Sequence, residues 1–177
     1  MEINRVITGS LEENCYVLRK KDTVLIVDPG DDYPKIKEVI KDSKVLGVLI
    51  THSHFDHIGA LRSFLTKRNV KIFKKSNLEE KTYEIGDFSF DVIFTKGHCS
   101  DSVTFYFKNE KVMFVGDFIF KDSVGRCDLP TGSITDMNAS LAKIKKYNDD
   151  IVLYPGHRDM TTLRAEKQNN IYFKEGM

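Results

Sequence analysis

The sequence has few of the features that mark several large classes of protein. It contains no tryptophan, four prolines and three cysteines, and its 27 basic and 26 acidic residues leave a net charge of +1. Three cysteines without paired spacing do not form the pattern of a disulfide framework, so we expect reduced thiols. The near balance of charge gives no electrostatic reason to expect nucleic acid or a membrane surface as a partner.

Long apolar runs are also missing. No apolar segment approaches the roughly 20 residues that cross a bilayer, and the opening MEINRVITGS lacks the basic start and apolar stretch of a signal peptide. We therefore expect a cytoplasmic protein without a membrane partner. The 41% apolar and 30% charged residues are typical of a globular protein. Without a repeat or a linker-like stretch, one domain is expected over residues 1–177.

The spacing of apolar residues predicts a layered α/β protein with two sets of strands. Continuous or alternating apolar runs indicate strands, and apolar residues three and four positions apart indicate helices. The predicted strands are 4–8, 15–19, 23–27, 45–51, 70–73, 88–94, 103–107, 111–115 and 151–154, the first three antiparallel. The predicted helices are 33–42, 57–68, 135–147 and a closing helix from 161 onward.

Three of the five histidines lie in one short stretch, THSHFDHIGA, at 51–60. The other two, His98 and His157, each follow a glycine just past a predicted strand, and Asp117 has the same setting in MFVGDFIF. Sheet-based folds place their functional groups in loops at strand ends. A lone histidine or aspartate there is more often structural, so the hypothesis of a site depends on the cluster.

The order of residues in the cluster favours metal binding. Imidazole and carboxylate groups are ligands of zinc, iron and manganese. In an extended segment His52, His54 and Asp56 point the same way, with Asp56 expected as a helix N-cap, whereas His57 points away from its neighbour. Two ions about 3.5–4 Å apart would use all of these groups. Without a cation the cluster would be costly, because its members would repel and desolvate one another.

The segment His52-x-His54-x-Asp56-His57, followed by His98, Asp117 and His157, resembles the metallo-β-lactamase superfamily. The stretches ENCYVL, IVDPG, GHCSDSV, GDFIF and YPGH match further segments of that superfamily over nearly the whole chain. The resemblance implies an α/β fold, the four-layer αβ/βα sandwich, with a dinuclear site at one edge. Within the superfamily the chain is most similar to short, single-domain glyoxalase-II-like (hydroxyacylglutathione hydrolase-like) enzymes.

The likeness to glyoxalase II implies a ligand assignment and a reaction. The implied ligands are His52, His54 and His98 at one ion, Asp56, His57 and His157 at the other, and Asp117 bridging the two. Two divalent ions are expected, with zinc first and iron or manganese as alternatives. A hydroxide bridging the ions would attack the carbonyl of a small-molecule substrate such as a lactoyl-thiol ester, with Asp56 and Asp117 as the catalytic residues.

Three residues outside the ligand set leave alternatives open. Asp28 either orients a ligating imidazole or is a plain turn residue before a proline. Arg126 either binds a substrate carboxylate or forms an ion pair with Asp128. A lactamase is expected to carry a cysteine where this chain has Asp117, so antibiotic hydrolysis is not the expected activity.

Two rival functions fit many of the same residues. A mononuclear iron persulfide dioxygenase shares the fold and a stretch like Gly125-Arg126-Cys127-Asp128. Metal analysis separates it from a hydrolase, since one iron with oxygen consumption favours the dioxygenase and two zinc-like ions favour hydrolysis. A noncatalytic, metal-stabilised binding protein would be expected to lack ligands, and here the whole set is present. The sequence therefore favours the hydrolase; it does not indicate an oligomeric state.

Overall fold

A computed structural model describes residues 1–65 and 70–177, in which two β-sheets carry helices on their outer faces. The strands are β1 (Glu2–Thr8), β2 (Glu13–Lys20), β3 (Thr23–Val27), β4 (Lys44–Leu49), β5 (Lys71–Phe73), β6 (Thr82–Ile85), β7 (Phe88–Phe94), β8 (Val103–Phe107), β9 (Val112–Gly116), β10 (Ile119–Phe120), β11 (Ser123–Val124), β12 (Val152–Pro155) and β13 (Thr161–Thr162). The helices are α1 (Tyr33–Ile40), α2 (Phe55–Ile58), α3 (Arg62–Leu65), α4 (Ile134–Ile144), α5 (Leu163–Asn169) and α6 (Ile171–Glu175), with a 3-10 turn at Lys75–Asn77.

The first sheet has the strand order β1-β2-β3-β4-β5. Its first three strands are antiparallel, as predicted, and β4 and β5 then add in parallel. Both β2 and β3 are almost wholly buried. In β3 this fits the continuous run of valine, leucine and isoleucine, because a sheet covered on both faces needs no polar alternation.

The second sheet has the order β13-β12-β9-β8-β7-β6. Strands β6 to β9 are antiparallel, whereas β12 pairs with β9 in parallel, and α4 lies between those two strands in the chain. Because parallel strands end at the same edge of a sheet, the residues that follow β9 and β12 are brought together.

Three apolar clusters define the layers. The central cluster joins Leu25 and Leu49 of the first sheet to Phe90, Phe105 and Phe114 of the second. A second cluster packs α1 and α3 on the first sheet, and a third packs α4, α5 and α6 on the second. Burying each such large side chain contributes roughly 1.5–3 kcal/mol. The order helix, sheet, sheet, helix confirms the predicted four-layer α/β sandwich.

The helix predicted at 57–68 is wrong in its bounds and in its continuity. The structure has α2 and α3 instead, separated at Gly59 and Ala60. A Cβ on Gly59 would lie 2.2 Å from the carbonyl oxygen of Gly30, and the amide of Ala60 donates to that same oxygen at 3.0 Å. The loop after β3 therefore interrupts the helix. Residues 66–68 of the prediction lie outside the described residues.

Other local predictions also need correction. Asp56 is not an N-cap, because α2 begins at Phe55 and places His54 at the cap position without a capping side-chain bond. The closing helix begins after β13 and divides at Asn170, whose side chain accepts from the amide of Tyr172 at 3.1 Å. All three cysteines are free, as expected. No described helix has the length and apolar character to span a membrane.

Candidate metal centre

The seven predicted ligands converge at one edge of the sandwich, although they come from five separate segments. His52 and His54 follow β4, and Asp56 and His57 lie in α2. The remaining three ligands each follow a strand of the second sheet: His98 follows β7, Asp117 follows β9 and His157 follows β12. The site therefore takes side chains from both sheets of the sandwich.

His52, His54 and His98 form what we call the three-histidine group. The Nδ1 atom of His54 lies 3.1 Å from Nε2 of His52 and 3.0 Å from Nε2 of His98. Nitrogen ligands 2.0–2.1 Å from a tetrahedral zinc ion are about 3.3 Å apart. The three ring nitrogens therefore already have nearly the mutual spacing that one shared ion requires.

Asp56, His57 and His157 form what we call the mixed group. Oδ2 of Asp56 lies 3.2 Å from Nε2 of His157 and 3.8 Å from Nε2 of His57. Asp117 lies between the two groups, with Oδ1 3.4 Å from Nε2 of His57 and Oδ2 3.6 Å from Nε2 of His98. A single carboxylate thus contacts both groups, which is the geometry expected of a bridging ligand.

Two buried atoms at the centre of the site have no hydrogen-bond partner among the described residues. They are Nε2 of His57 and Oδ1 of Asp117, which face each other across 3.4 Å. Leaving a buried polar group unsatisfied costs about 1–3 kcal/mol. A divalent cation would satisfy both atoms, and the donor set of imidazoles and carboxylates suits zinc, iron or manganese. The residues present therefore fit a pair of divalent ions.

The two groups differ in protonation. Burial, with the nearby charge of His57, lowers the pKa of His52 well below its ordinary value, and burial also lowers the pKa of His54. Burial alone would lower the pKa of His57, but Asp117 and Asp28 raise it well above its ordinary value. A hydrogen bond to Asp56 raises the pKa of His157. His52 and His54 thus favour the neutral form that binds a metal ion, whereas His57 and His157 of the mixed group favour the protonated form.

Asp28 lies behind the mixed group and contacts one of its imidazoles. Its Oδ2 is 3.0 Å from Nδ1 of His57 and accepts from the hydroxyl of Thr51 at 2.5 Å, while its Oδ1 accepts from the amide of Thr51 at 2.7 Å. An acceptor at Nδ1 places the proton there and leaves Nε2 free for an ion. Of the two alternatives for Asp28, the structure shows the contact with an imidazole.

The loop that carries His157 is fixed by β2. The hydroxyl of Tyr16 donates to the carbonyl of Pro155 at 2.6 Å, and the amide of Asn14 donates to the carbonyl of Gly156 at 2.7 Å. A Cβ on Gly156 would lie 2.5 Å from atoms of two of the ligands. The glycine in YPGH is therefore needed to let the loop approach the centre of the site.

A cavity of about 830 Å³ opens onto both groups. Its walls include the exposed apolar side chains of Ile7, Leu11 and Phe55 and the cationic side chains of Arg126 and Arg158. Cavities of about 300–1,000 Å³ are typical of small-molecule sites. The dimensions of the site therefore suit a small molecule with both apolar and charged parts.

The comparison with protein families gives a match over most of the chain. A family model of the metallo-beta-lactamase superfamily matches residues 8–80 and 74–157. The chain belongs to this superfamily. A hydroxyacylglutathione hydrolase of Francisella tularensis subsp. novicida is 32% identical, over 89% of this chain and 68% of that protein. A probable metallo-hydrolase of Bacillus subtilis is 28% identical, over 96% of each chain.

Solved structures of the superfamily superpose closely on this chain. The BLEG-1 B3 metallo-beta-lactamase matches with a TM-score of 0.91 and 29% identity, over 97% of this chain and 99% of that one. A protein crystallised in a di-iron-bound form matches with a TM-score of 0.86 and 27% identity, over 96% and 99%. These matches confirm the metallo-β-lactamase fold and, with the clustered ligands, support a metal-binding hydrolase in general.

Arg126 orients one ligand through its main chain. Its carbonyl oxygen accepts from Nδ1 of His98 at 2.8 Å. Its guanidinium forms two bonds of 2.6 Å to Asp128, and both side chains are largely exposed. The ion pair that the sequence left as one alternative is therefore present, and substrate binding by this side chain stays a prediction.

Glu13 is a residue of the site that sequence reasoning missed. It is fully buried, its Oε1 lies 3.9 Å from Nδ1 of His57, and its Oε2 accepts from the hydroxyl of Thr8 at 2.8 Å. Oε1 has no hydrogen-bond partner among the described residues. Burial raises the pKa of Glu13 to about 9, and the charge of Asp28 adds to the effect. The only signal in the sequence was an acidic residue directly before the apolar strand of ENCYVL.

Proposed function

We propose that this protein is a metal-dependent hydrolase of small-molecule thioesters, in the class of the hydroxyacylglutathione hydrolases. The observation that carries the proposal is the position of Asp117, which contacts both ligand groups where they open onto the cavity. The 32% identical relative of that name supports the choice of a thioester among hydrolysable substrates. We propose two divalent ions, with zinc first and iron or manganese as alternatives.

The proposed chemistry divides between the ions and the chain. Divalent ions in such a pair lower the pKa of water and polarise a carbonyl oxygen. The protein fixes the geometry: Asp28 sets the tautomer of His57, and the carbonyl of Arg126 does the same for His98. Preorganised groups of this kind need no rearrangement as charge develops in the transition state.

We assign the proton transfer to carboxylates. All five histidines of the chain belong to the two ligand groups, so no imidazole is left to serve as a general base. Asp56 and Asp117 both line the cavity. Their carboxylates accept hydrogen bonds from an attacking water and orient it toward the acyl carbonyl. One of them takes a proton from the water as the new C–O bond forms, and returns that proton to the sulfur as the C–S bond breaks, so that the products are the acid and the thiol.

The test is a substrate panel with metal-reconstituted protein. The panel contains lactoyl-glutathione, a neutral lactoyl thioester, a lactone, glutathione persulfide and a β-lactam, which is included because a similar structure is named a metallo-β-lactamase. Chelator-treated protein is the control, and metal content is measured by mass spectrometry. We expect two ions per chain and thioester hydrolysis well above the control.

Other results would contradict the proposal in distinct ways. One iron per chain with oxygen consumption on the persulfide would favour the dioxygenase. Hydrolysis of the β-lactam or the lactone without thioester cleavage would keep the hydrolase and replace its substrate class. Two bound ions without turnover of any compound would favour a noncatalytic metal-stabilised protein.

A further inference from the structure

Arg158, directly after the ligand His157, has a backbone conformation that favours glycine. Its φ is +66°, in the left-handed region. An L-residue there is strained by the approach of its Cβ to the following carbonyl oxygen, whereas glycine is not. Strained residues persist where their surroundings fix them and cluster at functional sites. Nine of the described non-glycine residues have a positive φ, and among them Arg158 is the cationic one on the wall of the cavity.

Hydrogen bonds from the first sheet fix the backbone of Arg158. The side-chain amide of Asn14 donates to its carbonyl oxygen at 2.8 Å, and the guanidinium of Arg5 donates to the same oxygen at 3.1 Å. Both donors belong to the first hairpin, whereas Arg158 follows β12 of the second sheet. The position of the residue is therefore determined by contacts between the two halves of the sandwich.

The guanidinium of Arg158 forms no ion pair with the described residues. The neighbouring acid, Asp159, pairs with Arg5 at 3.2 Å, and the cavity's third arginine, Arg126, pairs with Asp128. Over residues 1–65 and 70–177, no carboxylate forms an ion pair with the guanidinium of Arg158. Of the three arginines that line the cavity, it is the one whose charge is available to a ligand.

An aromatic ring supports this guanidinium. The Cζ atom of Arg158 lies 5.7 Å from the ring centre of Phe120, and the same ring lies 6.2 Å from that of His157. A guanidinium placed on an aromatic face loses few conformations and keeps its planar edge of donors free. That edge binds carboxylate or phosphate oxygens through two parallel hydrogen bonds.

We propose that Arg158, supported by Phe120, binds an anionic group, a carboxylate or a phosphate, on the thiol carrier of the substrate. The inference rests on the proposed function and deepens it. The substrate is a thioester of an anionic thiol. Its acyl carbonyl lies at the two ligand groups, and its anionic group lies at the cavity wall beyond His157. Ile7, Leu11 and Phe55, on the same cavity wall, contact the apolar parts.

The test compares three lactoyl thioesters that differ in the charge of the thiol. They are the thioesters of glutathione, which carries carboxylates, of coenzyme A, which carries phosphates, and of N-acetylcysteamine, which is neutral. For Arg158→Gln we expect KM to rise roughly tenfold to a hundredfold for at least one anionic substrate. We expect kcat to change by less than about twofold and the neutral substrate to be unaffected, and Arg158→Lys to restore part of the loss.

The matched control is Arg164→Gln, which removes an exposed arginine of α5 and leaves all three KM values unchanged. Loss confined to the glutathione thioester identifies a carboxylate, and loss confined to the coenzyme A thioester identifies a phosphate. An equal loss on the neutral thioester, or unchanged KM for all three in Arg158→Gln, overturns the proposal while the hydrolase stands.

A binding measurement separates this proposal from the proposed function. Calorimetry with S-methylglutathione and with S-methyl coenzyme A, which are not thioesters, needs no turnover. We expect Arg158→Gln to weaken the binding of at least one of them by the same roughly tenfold to hundredfold factor. If the wild-type protein hydrolyses no thioester, the proposed function fails, and calorimetry still decides whether Arg158 binds anions.

Arg158→Gly gives a further test, because it removes the side chain and the strain together. We expect a higher Tm than that of the wild type, since glycine accepts the left-handed conformation, and the same loss of anion binding as in Arg158→Gln. A higher Tm with unchanged binding would show that the arginine is merely tolerated there and would overturn the proposal.

Discussion

The three-histidine group and the mixed group lie side by side but prepare for a cation in opposite ways. In the first, burial lowers the pKa of His52 and of His54 and so favours neutral imidazoles, and Asp117 lies beside His98. In the second, carboxylates surround His57, and they favour a proton on it wherever a metal ion is absent. One edge of the fold therefore offers two kinds of metal site. The nitrogen-rich site can bind an ion directly, whereas at the oxygen-containing site the ion must first displace protons.

The largest effect is expected from the residue that the two groups share. Asp117→Ala removes the carboxylate that contacts both groups, so we expect kcat/KM to fall by roughly three orders of magnitude or more, since a metal-ion site supplies several kcal/mol of transition-state stabilisation. Metal content should fall below two ions per chain, as measured by mass spectrometry. Asp87→Ala, at an exposed turn before β7, is the control, and equal activity of the two variants would rule out a bridging carboxylate.

A smaller effect, confined to the mixed group, is expected from Asp28→Asn. The substitution keeps an acceptor for Thr51 but removes the negative charge behind His57. Losing such a supporting contact typically weakens metal affinity by about 10–100-fold. Competition with a chelator should show one ion weakened and the other unchanged. Asp31→Asn, an exposed change in the same loop, is the control. Equal weakening of both ions would mean that the groups do not act separately.

The pH dependence sharpens the comparison further. The pKa values of His57 and His157 are raised, so protons compete with metal there at a higher pH than at the three-histidine group, where the pKa values of His52 and His54 are lowered. For each proton that the metal ion must displace, the apparent affinity for the metal falls about tenfold when the pH is lowered by one unit. His54→Ala, which keeps the mixed group, should lose metal on equilibrium dialysis at a higher pH than His157→Ala. The reverse order would contradict the contrast between the groups.

The smallest expected effect concerns stability. The folded pKa of Glu13, about 9, lies above its ordinary 4.5, so its contribution to stability is fully present below pH 4.5 and is lost as the pH rises toward 9. Glu13→Gln removes this loss, and we expect the metal-free variant to be more stable than the wild type at pH 8 by about 1–3 kcal/mol. At pH 5 the difference should nearly vanish. Urea unfolding measures both values.

Glu12→Gln, at the exposed neighbouring position, is the control for that experiment and should leave stability unchanged at both pH values. A destabilised Glu13→Gln variant at pH 8 would mean that the charged form of Glu13 is needed, for example to hold a proton on His57.

The sequence predicted the strands well where the apolar pattern is clear. Strands β3, β7 and β8 were predicted at the residues the structure gives them. Both faces of β3 and β8 are covered, which suits nearly continuous apolar residues, whereas β7 begins with the alternation typical of a strand with one buried face. That the proposed ligands lie together was predictable for a different reason, which is that histidine is rare in this chain and five of them at strand ends form an unusual pattern.

What the sequence missed depends on contacts between distant segments. The break between α2 and α3 is caused by Gly30, which lies far away in the chain. Asp28 could not be distinguished from a turn residue until His57 was found beside it. The roles of Glu13 and Arg158 could not be inferred locally, because the burial of one and the left-handed backbone of the other appear only after the two sheets pack together.

The origin of the ligands in both sheets has a consequence for the amount of protein in a cell. Unfolding of either half would release both ions, so folding and metal loading are linked, and stability rises with the free metal concentration as RT ln(1 + [L]/Kd). Under metal starvation a larger fraction of the chains would be open to proteases at any moment. Metal supply would then set the abundance of this protein as well as its activity.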